Sequence, residues 1–249
     1  MYLTLVRKRW GLFFLLGVKV ASCRREAHSD RDVTKHLKTA KDCLAGIMAT
    51  DVEVLAFDRW STEGISVDDA GLRDYITIEP TFVPKTGARY AQNRFHKSKL
   101  FIVERLIGHI MIPGHKGKKH YRSSGHNTGQ KEKAYRIVEK TFLLIEQRAK
   151  KNPVEVYVKA LENAAPREEI ITIEYGGARY PKAVECAPQR RIDIALRYLV
   201  HGAYARSFNK KVGAEHALAD EILGAYNLSG NSFAISKKLE IERQADSSR

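Results

Sequence analysis

The stretch EYGGARYPKAVECAPQRRIDIALRYLV, residues 174–200, decides the fold. Gly176-Gly177 separates two short extended runs, IITIEY at 170–175 and ARYPKAVEC at 178–186, and can take the positive φ angles of a tight hairpin turn. After Pro188 the period changes. Ile192, Ala195, Leu196, Leu199 and Ala203 make an apolar stripe at 100° per residue. Arg190, Arg197 and His201 fall within about 40° of one another on the opposite side, with Tyr204 close by. No third strand candidate lies nearby, an isolated two-stranded hairpin is marginal in water, and Pro181 lacks an amide hydrogen and belongs on an edge. The ribbon at about 170–186 therefore projects or leans on something, and a helix follows it over about 188–207.

Outward from the ribbon, the chain is helical on both sides. Leu100, Val103, Leu106, Ile107 and Ile110 predict a helix over about 98–111, stopped by Pro113 and Gly114. Ala134, Ile137, Val138, Thr141 and Ile145 share one face of a second, about 130–149. Asn152-Pro153 supplies an N-cap and a first-position proline for a third that runs to Ala164, with Val154, Tyr157, Val158 and Leu161 as its buried stripe. Two more are expected near 213–227 and 236–246. The expected fold is mainly α: a bundle of about six helices with a protruding two-stranded β-ribbon, preceded by an irregular N-terminal arm. The expected division is an extra segment 1–47, the arm 48–98 and a helical domain 99–249 that carries the ribbon.

Charge points to the partner. Forty-three Lys and Arg against 29 Asp and Glu give +14, which favours polyanions and puts nucleic acid first. KTGARYAQNRFHKSK, residues 85–99, interleaves Arg89, Arg94, Lys97 and Lys99 with Tyr90 and Phe95, a pattern suited to laying charges along phosphates and rings against bases. Residues 1–22 resemble a secretory signal, with Arg7, Lys8 and Arg9 before an apolar run too short to span a membrane. Two readings compete with export, a basic extension that touches a partner and a translated upstream stretch before a later start at Met48, and the second is favoured here. Residues 1–47 hold ten Lys/Arg and four Asp/Glu, so the remainder, 33 against 25, is still basic.

Other chemistries find little support. Cys23, Cys43 and Cys186 are odd in number and far apart, which suggests neither a disulfide framework nor a zinc site. His109, His115, His120 and His126 bunch around a loop, but Lys116, Lys118 and Lys119 would repel a divalent cation. The GxxGKK of that loop lacks the spacing, the hydroxyl residue and the preceding strand of a phosphate-binding nucleotide loop. Glu168-Glu169 and Asp220-Glu221 are read as solvated acids, not a catalytic pair, and no enzyme activity, cofactor or metal is expected. A DNA-bending architectural protein with a β-ribbon arm is the alternative for such a basic helical chain.

RWSTEG at 59, IEP at 78, VERLI at 103, GHNTGQKEKAYRIV at 125, NPVEV at 152, ENAAPREE at 162, YGGARYPKAVECAPQRRIDIALRYLV at 175, LADEI at 218, NSFAISKKLEIER at 231 and the ending ADSSR occur together in this order. In these stretches the chain resembles the universal small-subunit ribosomal protein seven family, in its archaeal and eukaryotic form. The resemblance implies a cytoplasmic protein of the small subunit that binds the 3′ major domain of its ribosomal RNA and nucleates assembly of the head. It also implies neighbouring head proteins as partners, with no membrane and no small-molecule substrate. By the same resemblance the ribbon, with Tyr175, Gly176, Gly177, Ala178, Arg179 and Tyr180 at its tip, lies near the exit-site transfer RNA and the messenger exit path. The implied RNA contacts are Lys97, Lys99, the loop carrying Lys116, Lys118, Lys119 and Arg122, then Arg190, Arg191, Lys237 and Lys238, and Lys131, Lys133, Arg136 and Arg197 join them as basic RNA-binding candidates. Residues 1–47 have no counterpart expected in the family, in keeping with a start at Met48. The chain also stops at Arg249, without the longer C-terminal tail of bacterial relatives.

Overall fold

A computed structural model describes residues 54–81, 91–112, 115–116, 119–120 and 128–249, of which 115–116 and 119–120 are placed by backbone alone. The segment 1–47, Met48, Arg89, Lys118 and Arg122 lie outside the described residues. Among the described residues six α-helices are found: α1 (Ile102–Ile110), α2 (Lys131–Ala149), α3 (Pro153–Ala164), α4 (Pro188–Ser207), α5 (Ala214–Tyr226) and α6 (Phe233–Asp246). A two-residue pairing, β1 (His115–Lys116) with β2 (Lys119–His120), sits in the basic loop and is too short for any periodicity to announce it. The ribbon is β3 (Glu168–Tyr175) against β4 (Ala178–Glu185). The chain is thus mainly helical with a β-hairpin, as the sequence predicts, and no described helix is long and apolar enough to cross a membrane.

The centre of the bundle is α3. Val154, Val156, Tyr157, Val158, Ala160, Leu161 and Ala164 are all buried, so the helix is covered nearly all round. Asn152 caps it, its side chain accepting from the Val154 amide at 3.0 Å, with Pro153 in the first turn. In α2 the buried face is Ala134, Val138, Thr141, Phe142 and Ile145; Ile137, expected on that face, is only half-buried. Phe142 joins Trp60 and Tyr157 in an aromatic cluster, with ring centroids 5.8 and 5.9 Å away. Trp60 brings the irregular arm into the core, and Val67, Leu72 and Ile76 extend it.

Two helix starts differ from the sequence pattern because tertiary bonds set them. The expected start near 98 is instead a 3₁₀ turn, His96–Lys99, followed by extended Leu100. Phe101 forms a bridge with Thr77, and the Ile102 amide donates to the Thr77 carbonyl at 3.0 Å, which delays α1. Helix α6 begins earlier than the expected 236, because its N-terminus is capped from another helix. Glu221 of α5 accepts from the Ala234 amide at 3.0 Å and from Ser232 Oγ at 2.7 Å, and Arg206 Nε stands 3.2 Å from its other oxygen. Glu221 is therefore fully buried, which corrects its reading as a solvated acid. The buried carboxylate is tolerated because charge and donors surround it.

Candidate nucleic-acid interface

The turn of the ribbon uses Gly176 at φ 58° and Gly177 at φ 83°, the positive pair that a two-residue hairpin turn needs. Ile171, Ile173 and Tyr175 alternate onto one face, opposite Lys182, Tyr180 and Ala178. All of these are exposed, Tyr175 at 82% and Tyr180 at 59%. Arg179 Nε is 3.6 Å from Glu174 on the other face of the tip.

The base is held differently. The Cys186 amide donates to the Arg167 carbonyl at 2.9 Å, and Glu242 of α6 accepts from the Arg167 amide at 3.1 Å. Arg249 pairs with Glu168, and Arg190 Nε lies 2.5 Å from Glu169. Both glutamates read as solvated acids are thus ion-paired where the ribbon meets α4 and α6. Burial pushes the Cys186 thiol up to about 11, so it stays protonated at neutral pH.

The predicted cations divide by environment. Lys99, Lys133 and Arg197 are exposed and have no ion pair among the described residues. Arg94 is exposed, its guanidinium 5.3 Å from the centre of the Phe95 ring. Arg136 pairs with Glu132 at 2.6 Å within α2, Lys237 pairs with Glu240 within α6, and both pairs are exposed enough to be worth little. Lys131 reaches Glu104 of α1 at 2.7 Å. Lys116 and Lys119 are placed only as members of β1 and β2.

Arg191 and Lys238 face inward. Arg191 is buried: Nη2 binds Asp69 at 2.8 Å and Nε donates to the Pro166 carbonyl at 3.0 Å, so it straps the arm to the start of α4. Burial raises the Asp69 carboxyl, but the Arg191 hydrogen bond, the Gly71 amide and nearby positive charge bring it below its usual value. Lys238 is half-buried and donates to the Asn163 carbonyl at 2.8 Å, and burial lowers its pKa.

Two groups that sequence reasoning did not single out, Asp193 and Arg105, gather around Lys97 with His109, which it had weighed only as a metal ligand. Asp193 of α4 accepts from Arg105 of α1 at 2.8 Å and from Lys97 at 3.3 Å. His109 lies within electrostatic reach of Lys97, Arg105, Asp193 and Arg197; burial first, then the three cations, lowers its pKa to about 4. Lys97 and Arg197, 100 positions apart in the chain, thus both come within electrostatic reach of His109 on α1. Helical spacing puts Arg105 nearly opposite the apolar stripe of α1, so its burial against Asp193 had no signal in the sequence.

Comparison with known proteins assigns the family. Residues 72–249 match the family described as ribosomal protein S7p/S5e. The small ribosomal subunit protein uS7 of Nanoarchaeum equitans is 55% identical over 193 residues, covering 78% of this chain and 98% of that protein. Those of Archaeoglobus fulgidus and Methanothrix thermoacetophila are each 44% identical, over 80% and 78% of this chain and 97% and 98% of their own lengths. With the match spanning every α-helix among the described residues and the whole ribbon, the chain belongs to the ribosomal protein S7p/S5e family.

Proposed function

We propose that the chain is a structural protein of the small ribosomal subunit in the cytoplasm, which binds the 3′ major domain of small-subunit ribosomal RNA and nucleates assembly of the head. The observation that carries this reading is the near full-length similarity to the Nanoarchaeum equitans small-subunit protein. The basic surface supports it: Lys97, Lys99, Lys133 and Arg197 are exposed and offer charge to phosphates where RNA helices meet. The loop with Lys116, Lys118, Lys119 and Arg122, together with Arg89 and Arg94 before α1, extends that charge in the chain. The reading assigns the ribbon tip, Tyr175 to Tyr180, to the neighbourhood of exit-site transfer RNA and the messenger exit path. Its exposed tyrosines suit stacking or packing on such partners. The helical RNA-binding domain of the proposal is 99–249, with 48–98 as an arm and 1–47 upstream of the functional start. The work is scaffolding, with no catalytic step.

Binding of the full chain to a junction-bearing fragment of the 3′ major domain, titrated with salt, tests the proposal. If about 6 to 10 phosphates are contacted, affinity falls by about 10³ to 10⁵ between 50 and 200 mM salt. Equal affinity for duplex DNA at matched salt would sink the ribosomal reading and favour a DNA-bending role.

A further inference from the structure

Asp193 stands between two cations of very different exposure. The Arg105 side chain on its Oδ1 is 4% exposed, while the Lys97 side chain beside its Oδ2 is 49% exposed. Arg105 also donates to the Tyr75 carbonyl at 3.4 Å, so the guanidinium is anchored from two directions and in turn fixes the carboxylate. Burial raises the Asp193 carboxyl, and hydrogen bonds and charge from Arg105 and Lys97 outweigh it, leaving the group below its usual value. It is ionised at neutral pH. Arg197 follows one helical turn later, and Lys99 lies two residues from Lys97 in the 3₁₀ turn. Both are exposed and without an ion pair among the described residues.

A carboxylate on a face that meets phosphates weakens undirected attraction to any polyanion. Its presence calls for a compensating use, and the contact with Lys97 supplies one. An ammonium has three donors, of which the Asp193 contact takes one. Among the described residues the other two meet no acceptor, and they are offered to a phosphate on a side chain whose position is already set, so less freedom is lost on binding. We propose that Asp193 is a positioning residue for RNA recognition, holding the Lys97 ammonium at a fixed place beside Arg197 and trading general polyanion affinity for discrimination. This inference rests on the RNA-binding reading above.

The test compares two probes at one salt concentration: the junction-bearing ribosomal RNA fragment and single-stranded polyuridine. In Asp193→Asn, polyuridine affinity is expected to rise about 2-fold to 5-fold as a negative charge is lost, while junction affinity falls about 5-fold to 10-fold. A parallel rise for both RNAs, or no change in either, would overturn the proposal. Asp193→Asn also removes the counterion of Arg105, so a second pair of variants is read independently of its folding. Lys97→Gln is expected to lose about tenfold on the junction, reduce the salt slope by about one, and weaken polyuridine only about 2-fold to 3-fold. Lys133→Gln, which removes an exposed lysine with no such tether, is expected to weaken both probes alike, about 2-fold to 3-fold. If Lys97→Gln behaves like Lys133→Gln, the positioning role is wrong although RNA binding stands. If the unaltered chain binds the junction no better than polyuridine, the RNA-binding reading itself fails, and the inference with it.

Discussion

The bundle around α3 and the outer half of the ribbon are built from similar apolar residues in opposite surroundings. Tyr157 and Tyr175 show the contrast: one is fully buried against Phe142, the other is 82% exposed at the ribbon tip. A side chain in the first setting contributes to stability through contacts on all sides. One in the second has little packing to lose, so its use lies with whatever partner meets it. The two regions join at the ribbon base, where Arg190, Arg191 and Arg249 tie strands, arm and helices together. Stability should therefore respond to substitution in the bundle, fade across the base and be indifferent at the tip.

The largest effect is expected in the core. Phe142→Ala empties the centre of the aromatic cluster and should cost about 3 to 5 kcal/mol in denaturant unfolding. RNA binding would be lost with the fold. A loss below about 1 kcal/mol would mean that the cluster is not the centre of the bundle.

The arginine pair at the base sharpens the comparison within two adjacent residues. Arg191→Ala leaves Asp69 Oδ2 and the Pro166 carbonyl without the guanidinium and should cost about 2 to 3 kcal/mol. Arg190, whose side chain is 58% exposed in its pair with Glu169, should cost less than about 1 kcal/mol when replaced by Ala. Equal losses, measured by chemical denaturation, would erase the distinction between inner and outer arginine.

His109 offers a pH test of the α1–α4 contact. Its ordinary pKa is 6.5 and its folded value about 4, so the unfolded chain binds the proton more readily between these values. The stabilisation is present above 6.5 and is lost as pH falls toward 4. Asp193 raises the His109 pKa, while Arg105, Arg197 and Lys97 lower it, so the full chain is required for the measurement. Between pH 7 and 4.5 the unaltered protein should lose about 2 kcal/mol more than His109→Gln. Identical pH profiles would place the imidazole in solvent.

The same contrast accounts for what was legible in the sequence. Helices α3 and α4 bury the residues expected of them, because a stripe such as Ile192, Ala195, Leu196 and Leu199 depends only on local spacing. The ribbon was legible for the same reason, since Gly176-Gly177 carries its turn chemistry in two residues. What spacing missed was set by partners far along the chain. Arg191 meets Asp69 across 122 positions, and an Arg-Arg pair by itself reads as surface. Glu221 is buried because Ser232 and the Ala234 amide bind it and Gly202 leaves room; a Cβ there would come within 2.7 Å of the Glu221 carboxyl carbon. Asp193 is invisible as a tether until α1 and α4 are packed together.

The smallest stability effect is expected at the ribbon tip, where it carries the most functional information. Removing Ile173 to Tyr180 and rejoining the strands through Asn-Gly keeps the Ile171 and Lys182 pair and every base contact, from the Cys186 amide to Arg249. The residues removed are all exposed. Unfolding free energy should change by less than about 0.5 kcal/mol, as for surface changes away from buried features. On the proposed reading, the shortened chain still enters the small subunit, because its RNA contacts lie on the bundle, but retention of exit-site transfer RNA falls. Subunit incorporation is read by sedimentation, and transfer RNA retention by binding to the assembled particles. A shortened chain that folds yet fails to assemble would move RNA anchoring from the bundle to the tip; one that assembles with normal transfer RNA retention would remove the tip from the exit site.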